Sequence, residues 1–184
     1  MSETIQSNVI GTLKQDGSFS DWWISDPVEI PLLAGEKFQI TFMGFEPKED
    51  AGFITEADNA LKSFLSLTIN DRNSLSELVN QNCTDFLEMV DFDEMDEELR
   101  QISEPNDIWK FVYPTEIYVS RRSRRDQDIY ISISCNCEWE QEHGLQLVFR
   151  QGKKLTRISS NDGHLTESDA YDTPDEEDEL LSKF

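Results

Sequence analysis

The sequence predicts an α+β fold in which antiparallel strands flank a central segment of two to three helices. Three observations carry that expectation. Apolar and polar residues alternate between Val28 and Phe42, as on strands with one buried face. Between Thr55 and Ile102 the apolar residues recur at helical spacing. From Trp109 to Ile158 the period returns to two. Strands, then helices, then strands suggest segregated layers and not a parallel α/β sheet.

The elements follow in order. Residues 1–7 are polar and expected to be loose. Val9–Leu13 is a short strand, and Asp16-Gly17 turns the chain toward Trp22-Trp23-Ile24. Val28–Leu32 and Phe38, Ile40 and Phe42 alternate around Ala34-Gly35-Glu36, which reads as an N-terminal hairpin. A first helix, capped by Thr55, carries Ala57, Ala60, Leu61, Phe64 and Leu65. A second starts at Ser74 with Glu77 three residues on, a capping-box pattern. Its stripe is Leu75, Leu78, Val79, Cys83, Phe86, Leu87 and Val90. A third spans Phe92–Ile102 and is followed by Pro105.

The second half reads as a four-stranded meander. Its first strand, Trp109–Val119, holds Pro114, which belongs at an edge or a bulge because it cannot donate to a ladder. Arg121–Asp128 is a loop with four arginines. Ile129 to Trp139 alternates cleanly, placing Ile131, Ile133, Cys135 and Cys137 on one face. Leu145–Phe149 and Leu155–Ile158 complete the set around turns at Glu140–Gly144 and Gln151-Gly152. One domain is expected over residues 8–166. Residues 167–184, eight acids against Lys183, are expected to be an acidic flexible tail.

Charge narrows the function classes. The chain of 184 residues carries a formal charge of −22. That balance opposes phosphate backbones and anionic lipid surfaces, and it steers toward basic proteins. No run approaches the ~20 apolar residues that span a bilayer. The polar start and three cysteines (Cys83, Cys135 and Cys137) suggest a reduced, cytoplasmic setting.

The acids are clustered. Residues 85–98 hold Asp85, Glu88, Asp91, Asp93, Glu94, Asp96, Glu97 and Glu98 and no base. Asp91 through Glu98 are the candidate partner-binding residues; the bland alternative is a solvated helix face. Cys135 and Cys137 stand two apart on a strand and so share the core face, the position of inert thiols and not of a zinc knuckle. No metal and no cofactor is expected. Glu138, Glu140, Glu142 and His143 form a compact titratable group, suited to acid–base work or to a charged hairpin. No nucleophile elbow, phosphate loop or H-E-x-x-H pattern accompanies it. The arginines at 121–125 lack the aromatic platform expected for single-stranded nucleic acid.

The run Cys137-x-Trp139-Glu140-x-Glu142-His143-Gly144-Leu145-Gln146-Leu147, with Asp162-Gly163-His164-Leu165-Thr166-x-x-Asp169-Ala170-Tyr171 and the upstream Ile108-Trp109-x-Phe111-Val112-x-Pro114, resembles a family of small uncharacterised bacterial proteins. The match spans residues 105–172, with a looser one at the N-terminal hairpin. In size and acidity the chain also resembles immunity proteins of bacterial toxin systems. The resemblance implies no catalytic residue. It does raise a shared family site at Glu140, Glu142, His143, Asp162 and His164, beside the reading in which these residues and Gly144 and Gly163 only shape turns.

The sequence thus favours a non-enzymatic protein-binding protein, most concretely an immunity-type inhibitor of a basic toxin or nuclease. One alternative is an enzyme or metal protein using the Glu138–His143 turn with His164. Another is an acidic nucleic-acid mimic.

Overall fold

The computed structural model describes residues 3–90 and 96–182. Its main body is an eight-stranded sheet ordered β1-β2-β3-β6-β7-β8-β9-β10. The strands are β1 (Thr4–Ser7), β2 (Gly11–Gln15), β3 (Trp23–Ser25), β6 (Ile40–Phe42), β7 (Val112–Arg121), β8 (Ile129–Cys137), β9 (Leu145–Arg150) and β10 (Lys154–Ser159). A separate two-stranded ladder joins β4 (Val28–Ile30) to β5 (Glu36–Phe38). The α+β class and the C-terminal antiparallel meander agree with the sequence reading.

Several details differ. Thr4–Ser7 is not a loose end: it pairs antiparallel with β2, and the Ser7 hydroxyl and Asn8 N–H donate to the buried carboxylate of Asp58. The expected N-terminal hairpin exists only as β4–β5. Ile40 and Phe42, one alternation further on, have moved into the main sheet, where β6 lies antiparallel to β3 and parallel to β7. That parallel pair is possible because the whole helical segment forms the crossover between its strands. Pro114 does sit at a register shift, between Pro114 and Glu116. It is a bulge within an interior strand, and not an edge.

The helices are α1 (Phe53–Phe64), α2 (Ile69–Asn73), α3 (Ser76–Met89) and α4 (Glu97–Arg100). Ala57, Ala60, Leu61 and Phe64 bury the core stripe of α1. Phe64 meets Phe149 edge-on at 5.7 Å, seating the helix on the β8–β9 face. The turn before β10 is pressed against it: a Cβ on Gly152 would lie 2.0 Å from the Ala60 carbonyl oxygen. The capping box falls at Thr68–Asp71, on α2, and not at Ser74–Glu77. Of the expected third helix, residues 92–95 lie outside the described residues. The remainder is α4, whose Leu99 is buried.

The opposite face of the sheet is covered at one end only. Residues 167–182, part of the segment 167–184 expected as a tail, pack there as α5 (Glu167–Tyr171), a 3₁₀ turn (Asp175–Glu177) and α6 (Glu179–Ser182). Thr166 caps α5 and Leu181 is buried. Beneath this strap Tyr130, Thr156 and Arg157 are buried, so β8 has two covered faces at its first residues. Toward Asn136 and Glu138 the second face opens to solvent.

Candidate functional site

The described acids of the cluster lie on the last turns of α3 and at the start of α4. Val79, Cys83 and Leu87, at i, i+4 and i+8, set the inward phase of the helix. Leu78, Asp85 and Met89 therefore share the outward face. Leu78 is 42% exposed, Met89 79% and the adjoining Val90 40%. The sequence reading put Leu78 and Val90 in the buried stripe. The helix phase corrects both, because Leu78 stands one residue, about 100°, from Val79. Glu77, Asp85 and Glu88 are exposed around these apolar residues. Of the predicted partner-binding residues, Glu97 and Glu98 are exposed in α4 and Asp96 precedes them, half-buried. Asp91, Asp93 and Glu94 lie outside the described residues. The Arg100 guanidinium donates to the Leu87 carbonyl at 2.9 Å, tying α4 to the end of α3.

The two signature turns have separate structural duties. Glu140 Oε1 accepts from the N–H groups of Glu142 and His143, and the Glu140 carbonyl accepts from Gly144. His143 is exposed, its Nδ1 3.6 Å from Glu140. Gly144 has φ +72°, and a Cβ there would lie 2.3 Å from the Cys135 carbonyl oxygen. In the other turn Asp162 accepts from Gln146, Arg157 and the His164 N–H. The His164 carbonyl accepts from Gln146 Nε2, while its exposed side chain borders a cleft. Among the described residues no hydrogen bond or ion pair joins Glu140, Glu142 or His143 to Asp162 or His164. Nor do any three His, Cys, Asp or Glu side chains there stand together as a metal site.

Cys83, Cys135 and Cys137 are buried, as strand and helix phase require. Burial pushes the Cys83 thiol up to about 12 and that of Cys137 to about 11. Cys135 is raised further by the same cause. These are protonated, unreactive thiols.

The arginine loop anchors the strap. Arg122 is 2% exposed and grips Asp169 through Nε and Nη2 at 2.8 Å each. It also reaches Asp126 at 2.8 Å and Asp175 at 2.8 Å, and the Thr166 and Ser168 hydroxyls at 3.2 Å. Burial opposes its charge, but the bonds to Asp169, Asp175 and Asp126 outweigh burial and hold the guanidinium firmly ionised. Arg125 adds a second contact to Asp175, and Tyr130 donates to Asp126. Arg157, also buried, reaches Asp162 and Glu167. Glu167, Asp169 and Asp175 are thus paired within the molecule, while Asp172, Glu176, Glu177 and Glu179 stay exposed. Sequence composition alone signals a solvated tail; the missing clue was a basic loop of matching size 45 residues upstream.

The family model described as Domain of unknown function (DUF6985) matches residues 9–165. No curated protein and no solved structure matches the chain. The matched region runs from just before β2 through the Asp162–His164 turn and covers most of the chain, so the chain belongs to this family of domains of unknown function.

Proposed function

We propose that the protein acts without catalysis, by binding a basic protein partner through the exposed face of α3 and α4. The observation that carries the reading is that Leu78 and Met89 are exposed on the face of α3 that also carries Asp85, with Val90, Glu77 and Glu88 exposed next to them in the chain. Interfaces take their affinity from apolar anchors at the centre and their steering from charge at the rim. Lone exposed apolar residues are ordinary; here Met89 adjoins Val90, and Leu78 stands on the same acidic helix face about 16 Å away, a span suited to an extended contact with a partner. The concrete form of this reading is an immunity-type inhibitor that covers the basic surface of a toxin or nuclease. The strap contributes less than its composition suggests, because Asp169 and Asp175 are already paired with arginine.

The test is affinity capture from a lysate of the native cell, with wild type and a Leu78→Asp/Met89→Asp variant side by side. Both positions are exposed, so the substitutions leave stability within about 0.5 kcal/mol. The expected result is a basic protein held stoichiometrically by wild type at low salt, absent from the variant and released at high salt. A partner held equally by both proteins overturns the assignment of the surface. A partner with no basic patch overturns the assignment of its class.

A further inference from the structure

The open end of the second sheet face carries a groove of different chemistry. Its 440 Å³ are lined by Phe19, Trp22 and Tyr118 with the carboxylates of Asp16 and Glu116, among small polar side chains. No Lys or Arg lines it, nor the adjoining 310 Å³ cleft that shares Trp22, Glu116 and Tyr118. Phe19 stacks on Trp22 at 4.8 Å, and Trp22 meets Tyr118 edge-on at 5.8 Å. Four tryptophans are present. Three indole N–H groups are satisfied: Trp23 donates to the Phe45 carbonyl, Trp109 to Ser76 and Trp139 to Asn82. Trp22 makes no such bond among the described residues, and its half-exposed ring forms part of the groove wall.

The carboxylates are held ready. Asp16 accepts the N–H groups of Ser18 and Phe19, which keep its carboxyl below the ordinary range. Burial, and then the Glu116 carboxylate beside it, raise the Tyr118 phenol to about 12, so the ring stays neutral. Aromatic faces attract cations through their quadrupole, Trp most of all, and a guanidinium also fits carboxylates in a planar fork. By contrast, the 490 Å³ cleft at the arginine loop is lined by Arg121, Arg122, Arg124 and Arg125.

We infer that the Trp22 groove binds an arginine side chain of a basic polypeptide, with the guanidinium over the Trp22 ring and paired to Glu116. Aromatic rings, two uncompensated carboxylates and no competing base select a cation, and the groove exceeds one side chain, so neighbouring residues of the segment lie along the open sheet face. The site uses none of the residues of the α3 surface and stands if that surface binds nothing.

The experiment titrates the full chain with a hexa-arginine peptide and follows the four indole N–H resonances, with a hexa-glutamine peptide as the neutral control. The expected result is a saturable shift of the Trp22 indole with hexa-arginine alone. Glu116→Gln weakens that shift about 5- to 30-fold, and Trp22→Phe, which removes the reporting indole, weakens binding by a similar factor when followed by titration calorimetry. Glu49→Gln, exposed and on neither surface, is the comparison for non-specific attraction to an acidic protein, and the Leu78→Asp/Met89→Asp variant retains full binding. A shift that Glu49→Gln weakens as much as Glu116→Gln, or no shift at Trp22, overturns the proposal. A groove variant that binds normally while the α3 variant loses hexa-arginine overturns it too, and leaves the α3 reading intact.

Discussion

At the scale of single residues, the clearest determinants are one arginine and two glycines. Arg122 closes a ring of three carboxylates contributed by its own loop and by the strap. Replacing it by Met leaves Asp126, Asp169 and Asp175 facing one another. Removing one partner of a buried pair costs about 3–5 kcal/mol. The expected outcome for Arg122→Met is a fall in stability of that order by denaturant unfolding, with new protease cleavage after residue 160. Glycine replacements separate strain from contact. Gly152, Gly144 and Gly163 all have positive φ, but a Cβ strikes backbone at Gly152 and Gly144 and meets open space at Gly163. Gly163→Ala therefore carries the conformational cost alone, about 1 kcal/mol. Gly152→Ala adds displacement of α1 and is expected to lower the melting temperature the most of the three. Only part of this was legible beforehand. Gly144 and Gly163 read as turn glycines from their neighbours, whereas the contact at Gly152 depends on a helix 90 residues away.

At the scale of elements, local patterns succeeded where one face of an element decided its position. The alternation from Ile129 to Cys137 and the stripe of α1 both survive in the structure, because each has one predominantly apolar side. They failed where two partners competed. Apolar residues on α3 outnumber the positions facing the core, so the choice between Leu78 and Val79 needed the sheet beneath. The strap failed for a related reason: its composition excludes folding alone, yet its carboxylates meet arginines that local reading assigned to an exposed loop. A pH dependence follows for this element. Hydrogen bonding to Arg122 holds the Asp175 carboxyl well below its ordinary value of 3.8. Asp169 is lowered as well: its burial works in the opposite sense, and the same arginine overcomes it. A depressed folded-state value gives stability that is complete above the ordinary carboxylate range and is lost as pH falls through the folded one. The strap is therefore expected to hold at pH 5 and above, and to be released progressively below about pH 4. Amide hydrogen exchange of residues 166–182 across that range checks it; exchange that already rises between pH 7 and pH 5 contradicts the ion-pair account.

At the scale of the whole molecule, charge is distributed by use. The family match covers residues 9–165, and in the strap that follows Glu167, Asp169 and Asp175 pair with arginines while Glu176 and Glu177 are exposed. The acids of α3 and α4 stay on the surface beside apolar residues. The candidate family site at Glu140, Glu142, His143, Asp162 and His164 was legible as two motifs but not as geometry. Glu140–His143 and Asp162–His164 each close their own turn, and the two motifs meet through Gln146, which donates to Asp162 and to the His164 carbonyl; that meeting depends on register that no local pattern contains. The α3 surface was half legible: its acids were plain in the sequence, its anchors were not. For a partner steered by that surface, association should slow with salt while the anchors govern dissociation. The most direct measurement is the association rate between this protein and its captured partner as ionic strength rises from about 0.01 to 1 M, where the screening length shrinks from about 30 Å to 3 Å. The account predicts a fall of about tenfold or more in wild type, with the Leu78→Asp/Met89→Asp variant dissociating faster at every salt concentration; an association rate indifferent to salt, or a variant that dissociates like wild type, contradicts it.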